Sequence, residues 1–173
     1  MALSSTLSQF LPSSISTSSR NIVRDQWDLL SKLPGGRFLF SKAIGKAAPY
    51  TGSIDARVEE LRQGYARVSL TDRHAVRNHL DCVHAIALVN LAEVAGNLAL
   101  AYSLPDDARF IVAGLSIEYL KKARGTIIAT STPPLAATSA RQEYEVPVSM
   151  TNQQGEEVAR ATLRTLVGPK KSK

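Results

Sequence analysis

The run NHLDCVHAIALVNLAEVAGN, Asn78 to Asn97, decides how this chain folds. It is a short polar, histidine-bearing loop that passes directly into a long apolar segment. From Val83 to about Ser103 the residues are mostly Ala, Leu and Val, and no proline occurs until Pro105. That composition predicts one long helix, apolar around nearly its whole circumference and therefore buried. Its interior polar residues are Asn90, Glu93 and Asn97. At about 100° per residue these three fall within roughly 60° of one another, a narrow polar stripe on a greasy rod. A carboxylate in such a place is costly unless it is hydrogen-bonded, paired or protonated, so Glu93 is the first candidate for chemistry.

The preceding loop places Asn78, His79, Asp81, Cys82 and His84 at the helix N-terminus. Free backbone N–H groups and the positive dipole end there favour an electron-rich oxygen, including a carbonyl becoming an oxyanion. His84 and Glu93 are nine residues apart, about 900° or half a turn out of phase, so on one helix they point to opposite sides. Two copies related by a two-fold axis would bring the loop of one to Glu93 of the other.

The pattern Asn78-x5-His84-x8-Glu93 resembles the signature of hot-dog-fold acyl-CoA thioesterases of the phenylacetate-pathway type, which read Asn-x5-His-Gly-Gly followed by an acid. The chain is most similar to a branch reading N-x5-H-A-x-A-x3-L-A-E, and the segment IEYLKKARG, Ile117 to Gly125, resembles the family's strand that enters a basic turn beside the coenzyme. The likeness spans roughly residues 53–167. It departs at Ala85-Ile86, where Gly-Gly is usual, and at Glu93, where Asp is frequent. The resemblance implies an α+β hot-dog fold, an antiparallel sheet wrapped around a long central helix. It also implies a thioester hydrolase acting on acyl-CoA as a homodimer or dimer of dimers, with no cofactor beyond the coenzyme A moiety of the substrate. Under it Ala85 N–H would hold the thioester oxygen, and Glu93 would act as general base or nucleophile. Asn78 would orient water or thioester, His84 would bond near the carbonyl and fix the loop, and Asn90 and Asn97 would line the substrate site. Lys121, Lys122 and Arg124 would meet the coenzyme phosphates.

Each residue also has a plainer reading. Asn90, Glu93 and Asn97 form a satisfied strip that sets dimer register, His84 is a structural cap, Asn78 is a loop residue, and the basic cluster is a solvated turn. Cys82 lacks an orienting third group for a Cys–His nucleophile. His74, His79 and His84, five residues apart, match no zinc spacing. Two further functions compete: a non-catalytic acyl-thioester-binding or scaffolding dimer, and a hot-dog hydratase or dehydratase. The latter resembles proteins with Asp five residues before the histidine, where this chain has His79.

The 173 residues suffice for one domain with a real core. With 44% hydrophobic and 21% charged residues the chain is globular, and no run is expected to span a membrane. One cysteine fits a reducing compartment. A net charge of +6 suits a polyphosphate, while 6% aromatics, not interleaved with the basic residues, argue against nucleic acid. Residues 1–24 are Ser-rich with no acid, as in a mitochondrial transit segment; a disordered tail of a cytoplasmic protein is the alternative. Residues 25–50 read as a helical extension, with Trp27, Leu30 and Leu33 packing and Pro34-Gly35-Gly36 ending its first helix. Residues 51–168 form the hot-dog domain: strands at 54–61 and 64–70, the helix, then strands at 109–120, 125–132, 140–152 and 157–167. Residues 169–173 are a solvated basic tail.

Overall fold

The computed structural model describes residues 18–170, so residues 1–17, where most of the expected targeting segment falls, lie outside the described part. Among the described residues three helices come first: α1 (Ile22–Leu30), α2 (Gly36–Ala47) and the single-turn α3 (Pro49–Gly52). A hairpin of β1 (Arg57–Arg62) and β2 (Tyr65–Leu70) leads to the polar loop and the long helix α4 (Ala85–Ser103). Strands β3 (Ala108–Tyr119), β4 (Ile127–Ser131), β5 (Gln142–Thr151) and β6 (Glu157–Pro169) complete the chain.

The six strands form one antiparallel sheet in the order β1-β2-β4-β5-β6-β3, leaving β1 and β3 as its edges. Helix α4 lies across it and contacts every strand. Leu91, Ala92, Ala95 and Ala99 of α4 are fully buried with Val68, Ala129, Val146 and Leu163 of the sheet. Close approach needs a small residue at one point: a Cβ on Gly96 would sit 3.1–3.2 Å from Leu163 and Val146 side-chain carbons. By length and hydropathy α4 would also pass as a membrane span, contrary to the reading of the sequence, but its residues are consumed by packing against the sheet.

Several boundaries shift for local reasons. The long helix starts at Ala85, not Val83, because Val83 bridges to Arg77 and His84 is extended, with φ −62° and ψ 140°. The first strand begins at Arg57, not Ile54, because Asp55 adopts φ +54° and interrupts the extended chain. The fourth begins at Ile127, beyond Gly125 at φ +69°.

The helical extension is fastened at both ends. In α1, capped by Asn21, Trp27 and Leu30 are buried as expected, Trp27 packing edge-on against Phe40 of α2 at 5.1 Å. Leu33 is not part of that contact; it lies in the turn after α1 and is 52% exposed. That turn requires Gly36, where a Cβ would fall 1.8 Å from the Leu30 carbonyl oxygen. Asn21 Nδ2 donates to the Ala101 and Leu104 carbonyls, and Arg24 pairs with Asp106, so the end of α4 anchors α1. Asn21 and Arg24, which the sequence assigns to the transit-like segment, are thus tied to the end of α4. At the other terminus Lys170 does not extend into solvent: its Nζ donates to the carbonyls of Ser18 and Arg20, and burial draws its pKa below the usual lysine value.

Candidate functional site

The loop between β2 and α4 is built on a buried acid. Asp72, with 6% of its side chain exposed, accepts from Arg77 Nε at 2.7 Å and from the Gly125 N–H at 3.0 Å. The Arg77 hydrogen bond holds its carboxyl below the usual carboxylate range. After a 3-10 turn at His74–Val76, the Val83 N–H reaches the Ala123 carbonyl and the His84 N–H the Val76 carbonyl, each at 2.8 Å. Arg124 braces the outside, its guanidinium donating to the carbonyls of Asp81 and Leu80. Asn78 curls inward: its Oδ1 accepts from the Leu80 N–H at 2.9 Å and the Cys82 N–H at 3.4 Å. Buried Cys82 keeps its sulfur 3.4 Å from that same oxygen.

His84 is the N-cap of α4. Its Nδ1 accepts from the Ile86 N–H at 3.0 Å, which places the imidazole proton on exposed Nε2. The His84 carbonyl accepts from the Leu88 N–H, and the Ala85 carbonyl accepts from the Tyr119 hydroxyl at 3.2 Å. The Ala85 N–H has no carbonyl to meet within its own helix and none among the other described residues. It is a preorganised donor at the positive end of a 19-residue helix.

The second group lies mid-helix. Glu93 is half-buried, and its Oε1 accepts from Asn97 Nδ2 at 3.5 Å. Asn90 is buried, its Nδ2 donating to the Tyr50 carbonyl of α3 at 3.0 Å. The amide oxygens of Asn90 and Asn97 are buried with no partner. Around the helix axis Glu93 is about 60° from Gly96, which meets β5 and β6, and about 100° from Val94, which faces β1. Glu93 therefore lies between the helix faces that meet β5 and β6 on one side and β1 on the other, on the stripe turned away from the middle of the sheet. A cavity of about 340 Å³ between α2, α3 and β1 is walled by Ile44, Val58 and Val94 and by none of Asn78, His84, Ala85 or Glu93.

The structure thus gathers Asn78, His84 and Ala85 at the start of α4, and Asn90, Glu93 and Asn97 on one stripe further along. Eight residues separate Ala85 from Glu93, about 12 Å along the axis at ~1.5 Å per residue. Lys121 is ion-paired with Glu156 at 2.7 Å, Arg124 is engaged with the loop, and Lys122 is exposed. Sequence reasoning missed Asp72, Arg77 and Tyr119. Nothing in the spacing of Asp72 marks it, whereas Tyr119 stands inside IEYLKKARG with its side-chain role unread.

A polar loop capping a long central helix, wrapped by a curled antiparallel sheet, defines a hot-dog-fold protein. Solved structures agree. A structural-genomics crystal structure, APC5556, is 33% identical, covers 85% of this chain and 98% of its own, and superposes with a TM-score of 0.74. A protein of Pseudomonas aeruginosa described as a probable thioesterase, PA5026, is 23% identical over 79% of this chain and 97% of its own, with a TM-score of 0.66. The PaaI protein of the E. coli phenylacetic acid degradation operon is 18% identical over 75% and 91%, with a TM-score of 0.60. Residues 36–167 match the model of a domain of unknown function, DUF4442, and the chain belongs to that family. No curated protein matches the sequence.

Proposed function

We propose that the protein hydrolyses an acyl-coenzyme A thioester at a site made by two copies of the chain, where Glu93 of one copy faces the first turn of α4 of the other. The carrying observation is the separation of the two groups. About 12 Å along one helix is too far for the Ala85 N–H and the Glu93 carboxylate to serve one carbonyl carbon, since each must come within hydrogen-bond reach. Edge strand β3 offers the means of bringing two copies together. It pairs with β6 on one side only, and Ile111 and Tyr119, with Leu120 just past its end, leave large apolar or aromatic surface exposed at 65%, 48% and 44%.

In this reading Glu93 takes a proton from water, whose oxygen attacks the thioester carbon. The carbonyl oxygen gathers negative charge and is met by the Ala85 N–H and the helix dipole. When the tetrahedral species collapses the C–S bond breaks, and the coenzyme A thiolate leaves and is protonated. His84 Nε2 and Asn78 Nδ2, the groups their own loop leaves free to donate, orient the thioester. Lys122 and Arg124 draw the phosphates to this end of the sheet.

The test is Glu93→Gln. Thiol release from acyl-CoA should fall by about 10²-fold or more while coenzyme A binding persists. Hydrolysis at the wild-type rate would remove the reading. One observation favours a second function, a non-catalytic acyl-thioester-binding dimer: Ile86 stands where Gly is usual, and its side chain is 50% exposed over the first turn. Under that reading wild type and variant bind alike and neither releases thiol.

A further inference from the structure

We infer that Tyr119 is a positioning residue for the oxyanion donor, holding the first turn of α4 from the edge strand; the inference rests on the proposed thioesterase reading. The Tyr119 hydroxyl donates to the Ala85 carbonyl at 3.2 Å across 34 residues of sequence. That carbonyl does not need it, because an α-helix supplies Ala85 with the N–H four residues on. The extra bond instead ties the C-terminal end of β3 to the helix start.

Its effect arises through the neighbouring peptide groups. The Ala85–Ile86 peptide is gripped on both sides, its oxygen by Tyr119 and its N–H by His84 Nδ1 at 3.0 Å. The preceding carbonyl, that of His84, is taken by the Leu88 N–H at 3.1 Å, and the His84 N–H by Val76 at 2.8 Å. Every backbone group flanking the Ala85 N–H is therefore engaged, while the Ala85 N–H itself has no partner among the described residues. Tyr119 is the one member of this set contributed by the sheet. Partial burial raises the pKa of its phenol, so it remains a donor through the neutral range. Because Tyr119 lies on the free edge, a second copy pairing along β3 would bury the phenol and stiffen the grip, linking assembly to the donor's position.

A double-mutant cycle tests this in the full-length protein. Ala85→Pro deletes the donor N–H where proline is favoured, at the first helical position, after a His84 backbone already extended. Tyr119→Phe deletes only the hydroxyl. Tyr119→Phe should lower kcat for acyl-CoA hydrolysis by between about tenfold and about 10²-fold with KM unchanged, and should cost nothing further in the Ala85→Pro background. Exchange of the Ile86 amide should also quicken by about 3- to 10-fold in Tyr119→Phe, whether or not substrate turns over. An equal loss in both backgrounds, an unchanged kcat, or an Ile86 amide as protected as in wild type would overturn the inference. Wild-type turnover in Ala85→Pro would instead sink the oxyanion reading beneath it.

Discussion

The carboxylate of Asp72 accepts a hydrogen bond from the Gly125 N–H at 3.0 Å, joining the segment before the candidate loop to the segment before β4 across 53 residues of sequence. With Arg77 Nε 2.7 Å away on the same group, this buried acid is the foundation on which Asn78 and His84 stand.

Asp72→Asn should therefore destabilise the protein by about 1.5–3 kcal/mol, the usual worth of hydrogen bonds to a charged group, read as a lower urea midpoint. The pH dependence has a definite sign. The folded pKa of Asp72 is depressed, so its stabilisation is complete above the unfolded value near 4 and is lost as pH falls below it through the folded value. Wild type should lose stability in that acid window, and Asp72→Asn should show a shallower loss there. Equal acid slopes would contradict the role given to Asp72.

His84 caps α4 through Nδ1, so the identity of the cap can be separated from its chemistry. His84→Ala should cost about 1 kcal/mol, and His84→Asn, a good N-cap, should recover most of it. Equal urea midpoints for the two variants would mean that the Ile86 N–H bond contributes nothing.

Asn90 presents the opposite case. Its buried Oδ1 has no partner among the described residues, and its Nδ2 bond goes to the Tyr50 carbonyl, which also accepts from the Ser53 N–H and hydroxyl. Asn90→Leu removes an unsatisfied polar atom from the interior and should leave stability unchanged or raise it by about 1 kcal/mol while impairing turnover. A loss of about 2 kcal/mol or more would show that Asn90 is there for folding.

The helix and the strand order were legible because period and punctuation are strong here. The mostly apolar, proline-free run between Val83 and Ser103 reads as a helix, while Pro105 ends it and the turn at Gln153–Gly155 divides the last two strands. Where the reading slipped, single residues had overridden a pattern, as when Asp55 in the left-handed region cut short the first strand. The site was only half legible. Glu93 stood out because a lone acid on a greasy helix demands explanation. Tyr119 bonds Ala85, 34 residues away, and Asp72 bonds Gly125, 53 residues away, as well as nearby Arg77; no local spacing records the distant contacts. Lys121 and Arg124 looked like free cations in sequence, yet Glu156 and the loop carbonyls already engage them.

The shared site can be tested most directly by complementation. Glu93→Gln and Ala85→Pro each remove one half of the proposed pair. When the two variants are unfolded together and refolded as a mixture, half the dimers are mixed. Each mixed dimer holds one site with both groups intact and one with neither, so acyl-CoA hydrolysis should return to about a quarter of the wild-type rate. A mixture no more active than the two inactive parents would contradict a site built from Glu93 of one copy and Ala85 of the other.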